Sequence, residues 1–208
     1  MEKTHFEVTN DQRKYLGLTL IEEHWEPVKI SESYYFFDGD VIRKEIKTTE
    51  DSYFENDLNE KTAENRTILL PKTSRGKPKK LNFTATQSFS PLGVYFSFSD
   101  RGVKIASYTT QTTYYSAQFE KKTTDYLKVW LDEWIAETTE QDLAEINTFR
   151  NAARKHCKFK EGDFFAFKIG RRNFGFGRIL IDVFKRRNDL KKHKNYGLTH
   201  LMGKALIV

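Results

Sequence analysis

The chain has 208 residues, of which 38% are hydrophobic and 14% aromatic, and its formal net charge is +6. Charge is uneven, because residues 1–60 carry 15 acidic and 7 basic side chains whereas residues 161–208 carry 4 and 11. No apolar run approaches the roughly 20 residues that span a bilayer, no secretory leader pattern is visible, and the single cysteine, Cys157, cannot form an internal disulfide. These features predict a cytoplasmic protein without a membrane segment, and they argue against a disulfide-stapled secreted class.

Residues 1–121 are predicted to form a β-rich domain. Residues 11–18 have the pattern of a short helix, with Asn10 or Asp11 as its cap. Short apolar runs with period two follow, and the Asp-Gly-Asp sequence at residues 38–40 between two such runs indicates a hairpin.

The second half of this domain has the same character. Residues 65–71 and residues 81–87 are each predicted to be a strand. The apolar run at residues 93–99 is followed by an Asp-Arg-Gly turn and then by residues 103–119, which are rich in Thr and Tyr and are predicted to form one long strand. Together these elements predict an antiparallel β-meander from residue 25 to residue 119.

A basic stretch, residues 72–80, separates two of the predicted strands. Its Arg75-Gly76-Lys77-Pro78 core is similar to the core of a minor-groove AT-hook, but Lys77 stands where a second Arg is needed. Lysine is a point charge and does not replace the planar fork of arginine in a narrow groove. We therefore interpret the stretch as a lysine-rich hairpin loop, in which Lys77, Lys79 and Lys80 are candidates for contact with an acidic partner.

Residues 122–158 are predicted to form a helical pair that links the two β regions. In the first helix, apolar residues recur at helical spacing: Leu127, Trp130, Leu131, Trp134 and Ile135. The second helix is predicted to begin with a capping box formed by Thr139 and Asp142. Its apolar face is predicted to contain Leu143, Ile146, Phe149 and Ala153.

Residues 159–208 are predicted to form a small C-terminal β domain that is compatible with an SH3-like barrel. A Gly-Asp turn leads into one aromatic strand, a Gly-Arg-Arg-Asn turn follows, and a second aromatic strand returns. The candidates for partner binding are Arg171, Arg172, Phe174 and Phe176 at this hairpin, together with Tyr114 and Tyr115 in the first domain. Since aromatic residues at period two usually pack inward, alternate members of the Phe and Tyr pairs are expected to be core. Overall the sequence predicts an α+β fold.

Metal, cofactor and catalytic signatures are absent from the sequence. The five His residues and Cys157 form no HxH, HExxH or CxxC spacing. Cys157 has cationic neighbours, but His156 beside it is poorly placed to act as its base. The Gly-Phe-Gly run at residues 175–177 follows a turn and enters a strand, whereas a phosphate loop opens a helix. The sequence therefore predicts a protein that is not an enzyme and has no metal, cofactor or small-molecule ligand.

Nucleic acid binding is the first alternative function. Two basic segments, residues 72–80 and residues 185–194, could contact phosphates, and exposed aromatic residues in the hairpin could stack on bases. Two observations argue against nucleic acid binding. The acidic first 60 residues would repel a phosphate backbone, and runs of charged residues are usually solvated loops.

Residues 159–184 resemble the immunity protein 26 family. Members share a Gly-Asp pair before an aromatic strand, a short polar turn, and then an aromatic-Gly-aromatic-Gly-Arg strand; here these are Gly162-Asp163, residues 164–169, and residues 174–180. The segments "TILLPKTSRGKPKKL" and "WLDEWIAE" also look like the longer members. Family members usually continue beyond a point like Val208, so the native chain is expected to extend further.

The resemblance implies a bacterial cytoplasmic antidote that neutralises a cognate polymorphic toxin by protein–protein contact. Some relatives carry a phosphotriesterase label, which makes a hydrolase the second, disfavoured alternative. A binuclear phosphotriesterase site needs an HxH pair, further His residues, a Lys and an Asp. The His pattern of this chain does not supply that set.

Overall fold

The computed structural model describes residues 6–62, 75, 82–119, 123–183 and 206–207. The chain divides into two compact units, Met1–Arg154 and Lys155–Val208. Helices and antiparallel strands occur together, which confirms the predicted α+β class. The sequence predicted the helical pair as a separate segment that links the two β regions. In the structure its helices belong to the first unit, where they share a core with the sheet. None of the helices in the described ranges is long and apolar enough to cross a membrane.

A seven-stranded antiparallel sheet with strand order β1 to β7 dominates the N-terminal unit. Each strand pairs with its neighbours in sequence, as a meander requires, and the predicted meander is thereby confirmed for the described residues. The strands are β1 Glu26–Ile30, β2 Ser33–Asp38, β3 Val41–Thr48, β4 Tyr53–Lys61, β5 Leu92–Ser99, β6 Gly102–Ser107 and β7 Thr112–Ala117. The hairpins predicted at residues 38–40 and 100–102 join β2 to β3 and β5 to β6.

Within the described residues, four helices accompany the sheet: α1 Asn10–Leu16, α2 Phe83–Thr86, α3 Thr124–Ala136 and α4 Glu140–Arg150. Thr9 caps α1 with Gln12 as its reciprocal partner, so the prediction of Asn10 or Asp11 as the cap was wrong by one or two residues. The predicted capping box of Thr139 and Asp142 is confirmed at the start of α4.

One face of the sheet is covered by α1, α3 and α4. The indole of Trp130 stacks on Phe96 of β5 at 5.9 Å and on Trp134 at 5.2 Å, measured between ring centroids. The indole N–H of Trp134 donates to the backbone carbonyl of Tyr15 at 2.9 Å, which ties α3 to α1. This layer holds the larger of two buried apolar clusters. The smaller cluster, on the other face, contains Tyr35, Phe37, Ile42, Leu58 and Ala85 of α2.

Three sequence predictions in this unit are corrected. Residues 81–87 were predicted to be a strand, but Asn82 caps the short helix α2 by accepting a hydrogen bond from the Ala85 amide. The long strand over residues 103–119 is broken by a turn at residues 108–111, where Gln111 has a positive φ of 61°. Ala153 lies beyond the end of α4 and is exposed, so it does not extend the apolar face of that helix.

The described residues of the C-terminal unit form two small antiparallel pairs. Strands β8 Phe164–Lys168 and β9 Phe174–Arg178 form one hairpin. Strands β10 Ile181–Asp182 and β11 Leu206–Ile207 form the other pair. The predicted second aromatic strand is therefore interrupted after Arg178, and the side chain of Ile179 is buried. The segments at residues 72–74, 76–80 and 185–194 lie outside the described residues.

Candidate binding surface

The β8–β9 hairpin is built on a regular register that fixes which side chains share a face. Phe164 pairs with Arg178, Ala166 with Phe176, and Lys168 with Phe174. Since directly paired residues of antiparallel strands point to the same side, these six side chains form one surface. We call this surface the aromatic-basic face.

Three phenylalanine rings of this face are open to solvent. The exposed fractions are 78% for Phe164, 51% for Phe174 and 78% for Phe176. A large apolar side chain is normally buried, so three exposed rings on one face of one hairpin are informative. The predicted candidates Phe174 and Phe176 therefore lie together on the surface, and the favoured interpretation that alternate members pack inward was wrong for this pair.

Two cations border the exposed rings. The Lys168 ammonium lies 5.9 Å from the centroid of the Phe174 ring, and the Arg178 guanidinium carbon lies 5.6 Å from that of Phe164. Both distances fall within the range of cation–π attraction. The face thus combines apolar area with positive charge.

The opposite face of the hairpin explains its glycines. A Cβ added to Gly177 would lie 2.4 Å from the ring of Phe165, and one added to Gly175 would lie 2.6 Å from the ring of Phe167. The two Phe rings thus lie directly over the two Gly residues, as in cross-strand aromatic rescue of glycine. In the aromatic-Gly-aromatic-Gly motif of β9, the two Phe side chains therefore lie on the aromatic-basic face. The two Gly residues leave room on the opposite face for the two Phe rings of β8.

The Gly162-Asp163 pair fixes the base of the hairpin. The Gly162 amide donates to the carbonyl of Ile179 at 2.7 Å, and the Ile179 amide donates to the carbonyl of Asp163 at 2.9 Å. Gly162 has a φ of +93°, which only glycine adopts readily. In addition, the Asp163 carboxylate accepts from the Lys160 amide at 2.9 Å. Gly162 and Asp163 therefore anchor the hairpin that carries the exposed rings.

The remaining predicted candidates fall in different places. Arg171 is half-buried and Arg172 exposed in the turn between β8 and β9. Tyr114 is buried and Tyr115 half-buried against the helices, so the expectation of core packing is confirmed for that pair. The candidates Lys77, Lys79 and Lys80 lie outside the described residues.

A buried charged cluster in the N-terminal unit was missed by the sequence analysis. Arg13 of α1 donates to Glu55 of β4 through two nitrogens, Nε at 2.9 Å and Nη2 at 3.2 Å. Lys44 of β3 lies 2.6 Å from the same carboxylate and 2.9 Å from Asp57. Tyr53 donates to Glu55 at 2.6 Å. The available signal was the period-two position of Lys44 between Ile42 and Ile46 of its strand.

The electrostatics of this cluster favour ionised groups inside the protein. Burial alone raises the pKa of Glu55, but the nearby charges of Lys44 and Arg13 outweigh burial and hold that pKa below its usual value. Burial, followed by the charge of Glu55, raises the pKa of Tyr53 well above its usual value, so its hydroxyl stays a donor. Arg13, Lys44 and Glu55 are each at most 2% exposed. This inaccessibility suits a structural anchor of α1 on the sheet rather than a catalytic centre.

Metal-binding and thiol chemistry receive no geometric support in the described part of the chain. No group of three or more His, Cys, Asp or Glu side chains that could hold a metal ion occurs among those residues. Cys157 is exposed.

Comparisons with protein-family models, curated proteins and solved structures give no match for this chain. The resemblance to the immunity protein 26 family therefore stays a prediction that rests on the motif residues themselves.

Proposed function

We propose that this protein is a bacterial cytoplasmic immunity protein that neutralises a cognate toxin by protein–protein contact, and that the aromatic-basic face is its contact surface. The toxin partner is implied by the resemblance. The observation that supports a contact surface is the exposure of Phe164, Phe174 and Phe176 on one face of a hairpin. Binding without catalysis suits a surface that presents rings and cations but no nucleophile with a base beside it.

The chemistry of the face suits a macromolecular partner. Burying one exposed Phe ring on association gains about 1.5–3 kcal/mol before ordering costs. Aromatic and Arg side chains supply most of the binding energy at protein interfaces. Lys168 and Arg178 add positive charge, which steers encounter with an acidic surface. The toxin is therefore proposed to present an acidic surface with an apolar centre.

Single-stranded nucleic acid is the second candidate for the same face. Phe174 and Phe176 alternate along β9, so both rings lie on one side of the strand, where successive bases could stack. The cations beside the rings could contact phosphates. The two candidates differ in salt dependence, because phosphate contacts release counterions and protein contacts release few.

The test uses the product of the gene immediately upstream of the gene for this chain, which the proposal expects to be a toxin. The two proteins are coexpressed, growth is recorded, and binding is measured by calorimetry. Rescue of growth with stoichiometric binding is the expected result. A double variant, Phe174→Ser with Phe176→Ser, is expected to lose both. Phe83→Ser is the matched control, because Phe83 is 59% exposed in the other unit.

Two outcomes overturn the proposal. The first is a neighbourhood without a toxin-like gene, or a neighbouring product that does not bind. The second is salt-steep micromolar binding of oligo-dT that disappears in the double variant, which assigns the face to nucleic acid. A gel shift over a salt series with single-stranded and duplex oligonucleotides provides that measurement.

A further inference from the structure

Strand β9 forms one edge of the two-stranded β8–β9 sheet. The hydrogen bonds at the two ends of the hairpin fix which backbone groups point out of it. The Ile169 amide donates to the Asn173 carbonyl at 3.0 Å, and the Ile179 amide donates to the Asp163 carbonyl at 2.9 Å. Both bonds join odd-numbered residues. In the alternation of an antiparallel ladder, the odd-numbered residues of both strands therefore form the hydrogen-bonded pairs.

The even-numbered residues of β9 direct their amides and carbonyls away from β8. These residues are Phe174, Phe176 and Arg178, and all three are exposed. Their outward backbone groups have no partner among the residues that the structure describes. Such a row of donors and acceptors is a template on which another strand can pair. We call the outward backbone groups of these three residues the β9 edge.

The hairpin has the properties of an incomplete sheet. A hairpin of two strands is at best marginally stable in water, and a third strand adds a ladder of hydrogen bonds. A strand beside β9 would also cover part of the Phe174 and Phe176 rings, because side chains of neighbouring strands lie next to each other. Hydrogen bonding and burial are thus gained together at the β9 edge. The outer edge of β8 is less open, since Lys168 on it is half-buried.

The charge of the hairpin selects the kind of strand that pairs with it. Residues 164–178 carry four cations and no carboxylate; the cations are Lys168, Arg171, Arg172 and Arg178. Pairing with a second copy of this chain would bring two sets of these cations together, and like charge of this kind keeps proteins apart. A strand with a carboxylate beside Arg178 forms an opposite-charge pair across the strands instead. The charge therefore favours an acidic partner strand.

We propose that an extended acidic segment of the partner protein adds to the β9 edge as a third, antiparallel strand. Antiparallel pairing continues the pattern of the hairpin and is slightly more stable per residue than parallel pairing. Alternate residues of the added strand place a carboxylate beside Arg178 and apolar side chains beside Phe176 and Phe174. The inference rests on the proposed function for the identity of the partner, the toxin, and adds how that partner binds.

The first test uses a peptide and needs no toxin. NMR spectra of the full chain are recorded with millimolar acetyl-Thr-Glu-Thr-Val-Thr-Val-Thr-amide, in which the Glu and the two Val residues have the expected alternate spacing. The backbone amides of Phe174, Phe176 and Arg178 are expected to shift downfield and to exchange more slowly with solvent, because each gains an acceptor. The amide of Ala166, which points outward from β8, is expected to shift less.

Two modified peptides separate strand pairing from side-chain contact. N-methylation of the first Val removes a donor of the new ladder and keeps every side chain, so this peptide is expected not to bind. The peptide with Lys in place of Glu keeps the backbone and reverses the charge, so it is expected to bind more weakly than the parent peptide.

Proline at residue 176 tests the same edge in the protein. Phe176→Ala removes the ring, whereas Phe176→Pro removes the ring and the outward N–H. Both variants keep the ladder to β8, because that N–H takes no part in it. Phe176→Pro is expected to bind the peptide and the toxin about two- to tenfold more weakly than Phe176→Ala does, as for the loss of one hydrogen bond. Ala166→Pro removes an outward N–H of β8 instead and is expected to weaken binding less than Phe176→Pro does.

The outcomes distinguish this inference from the proposed function. Strand addition is overturned if the β9 amides do not shift with millimolar peptide, or if the N-methylated peptide binds as well as its parent. Equal binding of the toxin by Phe176→Pro and Phe176→Ala overturns strand addition and leaves the proposed function standing. Peptide binding at the β9 edge without binding of the upstream gene product has the opposite meaning. A dimer of the free chain that Phe176→Pro dissociates assigns the edge to a second copy and also overturns the proposal.

Discussion

In the N-terminal unit, Phe37, Phe96 and Phe98 are each at most 1% exposed, whereas on the C-terminal hairpin Phe164 and Phe176 are each 78% exposed. The residue type and the period-two spacing are the same in both regions. Layering differs: helices cover one face of the large sheet and α2 packs on the other, while the aromatic-basic face has no such layer among the described residues. In the first unit aromatic residues stabilise a fold; on the hairpin they are available to a partner.

The two regions also differ in their charges. The first unit buries Arg13, Lys44 and Glu55 in a network that is satisfied within the protein. The hairpin keeps Lys168 and Arg178 beside exposed rings. Because a buried charge is costly when its partner is removed and an exposed charge is not, substitutions in the two regions should have very different effects on stability.

The largest effect is expected for Glu55→Gln. The substitution removes the carboxylate that Arg13 and Lys44 share and leaves two buried cations with too little negative charge. We expect a loss of about 3–5 kcal/mol in the free energy of unfolding. Urea unfolding followed by tryptophan fluorescence measures it, and Trp25, Trp130 and Trp134 all report on the N-terminal unit. Glu50→Gln, at an exposed position, should change stability by no more than about 0.5 kcal/mol.

An acid titration tells whether the effect of Glu55 is ionic. The folded pKa of Glu55 is lowered from the ordinary 4.5. Its stabilising contribution is therefore fully present above about pH 4.5 and is lost as pH falls through the lower folded value. Wild-type protein should lose stability over that acid range, and Glu55→Gln should lose less. Parallel curves for the two proteins would show that packing, not charge, causes the loss.

The same substitution in the two regions gives the third prediction. Phe96→Ala opens a cavity under Trp130 and should cost about 3–5 kcal/mol, whereas Phe176→Ala should change stability by about 0.5 kcal/mol or less. Both are measured by urea unfolding with circular dichroism. A cost for Phe176→Ala near that for Phe96→Ala would mean that the exposed ring is needed for the fold, and the contrast between the regions would fail.

The sequence predicted the meander, the helical pair and the aromatic hairpin because each has a strong local signal. Asp-Gly at residues 38–39 and the helical spacing of Leu127, Trp130 and Trp134 are signals of that kind. The prediction of a strand at residues 81–87 was wrong. Thr and Phe favour strands, but the Asn82 cap starts a helix and overrides that preference.

The tertiary features could not be derived in the same way. Whether Phe176 points into a core depends on a second layer, which no local pattern contains. The pairing of Arg13 with Glu55 joins residues 42 positions apart, so it needs the sheet register before it can be seen.

The last comparison adds a methyl group to one glycine in each region. Gly102 has a φ of +103°, and a Cβ there would lie 1.9 Å from the backbone carbonyl oxygen of Ala117 in β7. Backbone in a paired strand cannot move aside, so Gly102→Ala should cost at least about 2 kcal/mol. A Cβ at Gly177 would meet the far end of the Phe165 ring at 2.4 Å. That half-buried ring can turn away at a cost of about 1 kcal/mol.

Tryptophan fluorescence during urea unfolding measures the cost of Gly102→Ala. Hydrogen exchange at the Ile169 and Ile179 amides, which close the hairpin, measures the cost of Gly177→Ala. If Gly177→Ala costs as much as Gly102→Ala, the hairpin is as rigid as the sheet, and the Phe165 ring does not turn away.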